Sequence, residues 1–62
     1  MNLIDAEVTR MLSGPYKEVY QNNTWWSVDI EYVDDGGHSQ KKLTFGTEEK
    51  AKRVNVGYQF TH

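Results

Sequence analysis

Residues 25–45 hold two runs of alternating apolar and polar residues around a glycine pair: W-W-S-V-D-I-E-Y-V, then D-D-G-G-H-S, then Q-K-K-L-T-F. Alternation with a period of two is the mark of a strand with one dry and one wet face, and Asp-Gly or Gly-Gly between two such runs marks a hairpin. Trp26, Val28, Ile30, Leu43 and Phe45 fall on the dry face, whereas Trp25, Ser27, Asp29 and Glu31 fall on the wet one. Either Asp35-Gly36 or Gly36-Gly37 can take the two central turn positions. The first pairs Asp29 with Lys42, and the second pairs Glu31 with Lys42. The two registers differ by a two-residue slip, so each keeps the same side chains on the same faces.

The remaining segments read as covering for this hairpin. Residues 2–13 carry Ile4, Val8, Met11 and Leu12 at helical spacing, with Asn2 as a candidate N-cap and Ser13-Gly14-Pro15 as a stop. An N-terminal helix is expected there, packing on its own chain or across a dimer. Residues 16–21 read as a first strand, and Asn22-Asn23 as a tight turn into the central strand. On that pairing Tyr16 and Tyr20 join the wet face beside Trp25. After Phe45, Gly46-Thr47 and Glu48-Glu49 announce a capped second helix running to about Asn55, closed by Gly57. Tyr58-Gln59-Phe60 reads as a short fourth strand or a packed tail. The expected fold class is α+β: an N-terminal helix, a three-stranded antiparallel sheet, a short C-terminal helix and a possible short fourth strand. Residues 1–62 form one small domain in this reading.

A chain of 62 residues builds one small core. It holds no cysteine, so neither a disulfide nor a thiolate-bound zinc can staple it. Aromatic residues make up 13% of the chain, and their packing must carry the stability unless self-association adds to it. The formal net charge is −2, which argues against a general nucleic-acid binder. No apolar run approaches the ~18 residues of a membrane span. The opening residues lack the basic n-region of a signal peptide, so a cytoplasmic setting is expected.

Catalysis has little support. Ser13, Ser27 and Ser39 lack an evident activating base, and His38 and His62 sit in a turn and at the terminus. Asp34, Asp35 and His38 lie close in sequence, yet Asp and Gly are what a hairpin turn requires, and the spacing is not that of a calcium loop. No phosphate-binding glycine motif is present. No catalytic residue, metal ligand or cofactor is therefore expected.

The wet sheet face is the candidate site. Aromatics beside charges are the usual composition of a protein-binding hot spot. The expected partner-binding residues are Tyr16, Tyr20, Trp25, Asp29, Glu31, Asp34 and Asp35. The face is open to a partner, covered by the N-terminal helix, or buried in a homodimer.

Residues 26–54 also run W-x-V-x-I-x-Y, D-G-G, L-x-F-x-T-x-E-x-A-x-x-V. This layout resembles the strand–strand–helix unit of the AP2-like arm-binding domains of phage-type integrases, whose three-stranded sheet lies on DNA. The resemblance implies DNA-facing roles for Ser27, Asp29, Glu31, Gln40, Lys42 and Thr44. Two of these are acids, where phosphate contact demands cations. The function expected from the residues is therefore a small non-enzymatic regulator or inhibitor that binds a larger protein. Its size matches phage or mobile-element proteins that act on host enzymes or defence proteins. The alternative is a nucleic-acid module using Lys41, Lys42, Lys50, Lys52 and Arg53.

Overall fold

The computed structural model describes residues 5–61. Four strands form one antiparallel sheet: β1 (Asp5–Tyr20), β2 (Asn23–Asp34), β3 (Gly37–Phe45) and β4 (Gln59–Thr61). Their spatial order is β3-β2-β1-β4, and a short helix, α1 (Glu48–Lys52), connects β3 to β4.

The expected N-terminal helix is absent: residues 5–13 belong to β1. The expected cap Asn2 and the apolar Leu3 and Ile4 lie outside the described residues, as does His62. The reason lies in the strand pairing. Relative to β2, β1 shifts register between Val8 and Arg10, between Met11 and Ser13, and between Ser13 and Tyr16. Each shift adds one residue to β1, which is the signature of a β-bulge. The inward residues Ala6, Val8 and Met11 are therefore two and then three apart, and the bulge gives Val8 and Met11 the i, i+3 spacing that reads as one face of a helix.

Ser13-Gly14-Pro15 is such a bulge rather than a helix stop. Proline cannot donate to a ladder and is accepted at bulges. Gly14 has φ +94°, and a Cβ there would lie 2.6 Å from the Ser27 carbonyl oxygen, so only glycine fits. The Gly14–Pro15 peptide is cis.

The expected first strand at 16–21 is the distal part of β1, and its turn is one residue earlier than expected. Tyr20 pairs with Asn23, which leaves Gln21-Asn22 at the tip, with Gln21 at φ 55°. This is a two-residue slip from a turn at Asn22-Asn23, so the faces are unchanged. The β2–β3 hairpin takes the Asp35-Gly36 alternative: Asp34 pairs with Gly37, Asp29 with Lys42 and Trp26 with Phe45. Asp34 Oδ1 accepts from the Gly36 N–H at 2.8 Å, an Asx turn that fits this site.

One sheet face carries the core. Ala6, Val8, Val28, Ile30 and Tyr32 are buried with Ala51 and Val54 of the α1 region. Met11, Trp26, Leu43, Phe45, Tyr58 and Phe60 pack around them. The second helix starts as expected, with the Thr47 side chain accepting from the Lys50 N–H at 3.3 Å, but it ends at Lys52 with Arg53 as C-cap. Glu48–Lys52 and Glu49–Arg53 pairs at 3.1 and 3.6 Å line its exposed side. Gly57, at φ +94°, turns the chain instead of closing the helix, and its N–H donates to the Val8 carbonyl. The last residues then form β4, pairing Ala6 with Phe60, and the Phe60 ring meets Tyr32 edge-on at 5.4 Å.

Candidate protein-binding face

The opposite sheet face is built from β1, β2 and β3 alone. Parity places Tyr16 and Glu18 of β1, Trp25, Ser27, Asp29 and Glu31 of β2, and Gln40, Lys42 and Thr44 of β3 on it. The helix α1 packs on the core side, so among the described residues no element crosses this outer face. Covering by an N-terminal helix is thereby replaced by an open surface in residues 5–61.

Glu18 is the organising residue. Its Oε2 accepts from the Trp25 Nε1–H at 2.6 Å and from the Ser27 hydroxyl at 2.6 Å. Its Oε1 accepts from Lys42 Nζ at 3.1 Å. Three strands are thus tied through one carboxylate. Ser27 is fully buried beneath this network, close under the Gly14 bulge. The Glu18 side chain keeps 27% of its exposure and Lys42 46%, so the ion pair is solvent-screened and its value lies in orientation.

A second contact set adjoins the first. The Tyr16 hydroxyl donates to Asp29 Oδ2 at 2.9 Å, and Lys42 Nζ lies 5.8 Å from the Tyr16 ring centroid. That distance is within cation–π range. Lys42 therefore links the Glu18 carboxylate to the Tyr16 ring.

The electrostatics follow from these contacts. Glu18 is held below the ordinary carboxylate range, first by the Ser27 hydrogen bond and next by that of Lys42, with Trp25 adding to them. Lys42 is raised above its ordinary value, chiefly by its hydrogen bond to Glu18. The Tyr16 phenol is also raised, mainly because its proton is engaged by Asp29. Each shift favours the protonation state that completes the network near neutral pH.

Of the seven expected site residues, Tyr16, Trp25 and Asp29 come together here. Glu31 shares the face one step along β2, where its Oε1 accepts weakly from Gln40 Nε2 at 3.5 Å. Tyr20 lies at the β1–β2 hairpin tip and is 64% exposed. Asp34 and Asp35 sit in the β2–β3 turn, at the other end of β2, with Asp34 engaged in turn formation. The residues outside that expectation are Glu18, Ser27 and Lys42 as a connected group. The signal for Glu18 was present: it stands between Tyr16 and Tyr20 on an alternating strand. The convergence of three donors on it is not visible in one dimension.

Chemically, this face presents half-exposed indole and phenol rings in fixed orientations, flanked by carboxylates and one ammonium. Among the described residues no group of three or more His, Asp or Glu side chains is placed to hold a metal ion. No helix among them is long and apolar enough to cross a membrane. Comparison with protein-family models, curated proteins and solved structures returned no match to this chain.

Proposed function

We propose that this chain is a small, non-enzymatic binding protein that engages a larger protein through the outer face of its sheet, acting as a regulator or inhibitor. The observation that carries the proposal is the immobilisation of Trp25 and Tyr16 by the Glu18, Asp29, Ser27 and Lys42 contacts. Aromatic anchors dominate interface energetics, and anchors fixed in advance lose less side-chain entropy on binding. Asp29 and Glu31 beside the rings suit a target surface that carries arginine or lysine. An acidic inhibitor of this kind would cover a basic, nucleic-acid-facing groove of a host enzyme or defence protein. The proposed setting is the cytoplasm, and a phage or mobile-element origin fits the size of the chain.

The test compares single variants immobilised in native-host extract. Wild-type protein and Val56→Ala should retain the same captured protein, Val56 being exposed away from the outer face. Trp25→Ala should lose it while keeping its far-UV circular dichroism and cooperative melting. Equal capture by the folded Trp25→Ala variant would remove the outer face from the binding site.

A second reading rests on the register. Ser27–Thr44, Asp29–Lys42 and Glu31–Gln40 are cross-strand pairs, so all six positions implied by the arm-domain resemblance share the outer face. Lys42 is already engaged by Glu18, and two of the positions are acidic. A salt titration against duplex DNA separates the readings. Micromolar binding with a steep salt dependence supports the nucleic-acid module. Binding absent at low salt supports the protein-binding reading.

A further inference from the structure

The sheet has two open edges, and they are unlike. Beyond Val8, the β1 edge is broken by three register shifts and carries Pro15, features that blunt strand addition. The β3 edge has neither. β3 runs for nine residues without proline, and its pairing with β2 is continuous from Asp34↔Gly37 to Trp26↔Phe45. No described strand lies on its far side. Alternate residues of such an edge turn their N–H and C=O groups outward, ready for another strand.

The side chains on this edge select the occupant. Lys41 and Lys42 sit at its middle, and residues 38–42 are all exposed. Lys42 leans onto the outer face toward Glu18, while Lys41, opposite Ile30, projects to the helix side with no ion-pair partner among the described residues. A second copy is poorly suited. The fully overlapped antiparallel register of two β3 strands centres on residue 41 and sets Lys41 against Lys41, and one step away Lys41 meets Lys42. Like charges directly opposite destabilise a pair, whereas opposite charges favour it.

We propose that the β3 edge is a strand-addition site that takes an extended acidic segment of another protein, antiparallel to β3, with a carboxylate opposite Lys41. Backbone hydrogen bonds from β3 supply the affinity, and Lys41 supplies the selectivity. The edge shares Lys42 with the outer face but is separable from the outer-face reading, because Trp25 lies on β2 and makes no part of it.

The probe is a capped nine-residue peptide alternating threonine and glutamate, beside a counterpart with lysine in place of glutamate. Titration into isotope-labelled protein should shift β3 amides and slow their hydrogen exchange, with the glutamate peptide only. Lys41→Glu should weaken that binding roughly five-fold or more and improve binding of the lysine peptide, as charge reversal of a cross-strand pair requires. Trp25→Ala should bind the glutamate peptide as the wild type does. The gain of lysine-peptide binding by Lys41→Glu shows that the charge variant is folded. Equal binding of both peptides, shifts centred on β1 or the outer face, or no binding would overturn the proposal. So would a doubling of solution mass accompanied by protection of β3 amides without peptide.

Discussion

Glu18 shows how one side chain sets the state of several others. Replacing it with glutamine keeps size and some hydrogen bonding but removes the charge that Lys42, Ser27 and Trp25 address. The Glu18 carboxyl is held below its ordinary value, so its contribution is full above the ordinary carboxylate range and is lost as pH falls through the folded-state value. Lys42 and Tyr16 are raised, so their contributions are full below their ordinary values and fade as pH climbs through the raised ones. Thermal midpoints should therefore form a plateau from about pH 5 to 9, falling on both sides. In Glu18→Gln the acid limb should flatten and the plateau should drop. Its tryptophan emission should also shift as the Trp25 indole loses its charged acceptor. An acid limb identical to wild type would show that other carboxylates govern it.

At the scale of the element, β1 and α1 make opposite demands on the sequence. The bulge in β1 needs Gly14, because φ is +94° and the Ser27 carbonyl is in the way. Gly14→Ala should cost more than ~1 kcal/mol, with a fall in Tm of at least about 4–8 °C. Gly46 is the comparison: a Cβ there meets nothing within 4 Å, so Gly46→Ala should be neutral or slightly stabilising. Melting both variants checks the pair, and equal losses would remove the steric account of the bulge. The helix α1 is only five residues long, too short to persist by propensity. It depends on the Thr47 cap and on burial of Ala51. Thr47→Ala should cost about 1 kcal/mol, read as a lower denaturant midpoint at unchanged slope.

For the whole molecule, the sheet separates the core from the face proposed for binding. Ile30 is fully buried at the centre of β2, and Ile30→Ala should cost ~2–5 kcal/mol. That approaches the entire stability of a domain this small. The variant should be unfolded at room temperature by circular dichroism. Trp25→Ala, on the other face, should fold and lose partner capture. A folded Ile30→Ala protein would mean that the core is shared more widely than its buried residues indicate. The elongated body, 37 × 26 × 17 Å, gives the sheet a large surface for its mass. That surface is divided between a helix-covered core, an aromatic outer face and a lysine-bearing edge.

The hairpin from Trp25 to Phe45 was legible in the residues alone. Alternation has a period of two, so the faces of Trp26, Val28, Ile30, Leu43 and Phe45 survived even a two-residue uncertainty in register. Thr47 was legible as a cap because its chemistry is local. Tyr16, Trp25 and Asp29 could be placed on one face for the same reason. Only the tertiary structure decided the state of residues 5–13. Val8 and Met11, three apart, fit a helical face and a bulged strand equally well, and pairing with β2 on one side and β4 on the other selects the strand. The register of the turns, the burial of Ser27 and the meeting of Trp25, Ser27 and Lys42 at Glu18 were likewise decided by contacts distant in sequence. Local patterning determines which face a side chain occupies; which side chains meet on that face depends on strand pairing, and pairing is a property of the folded chain.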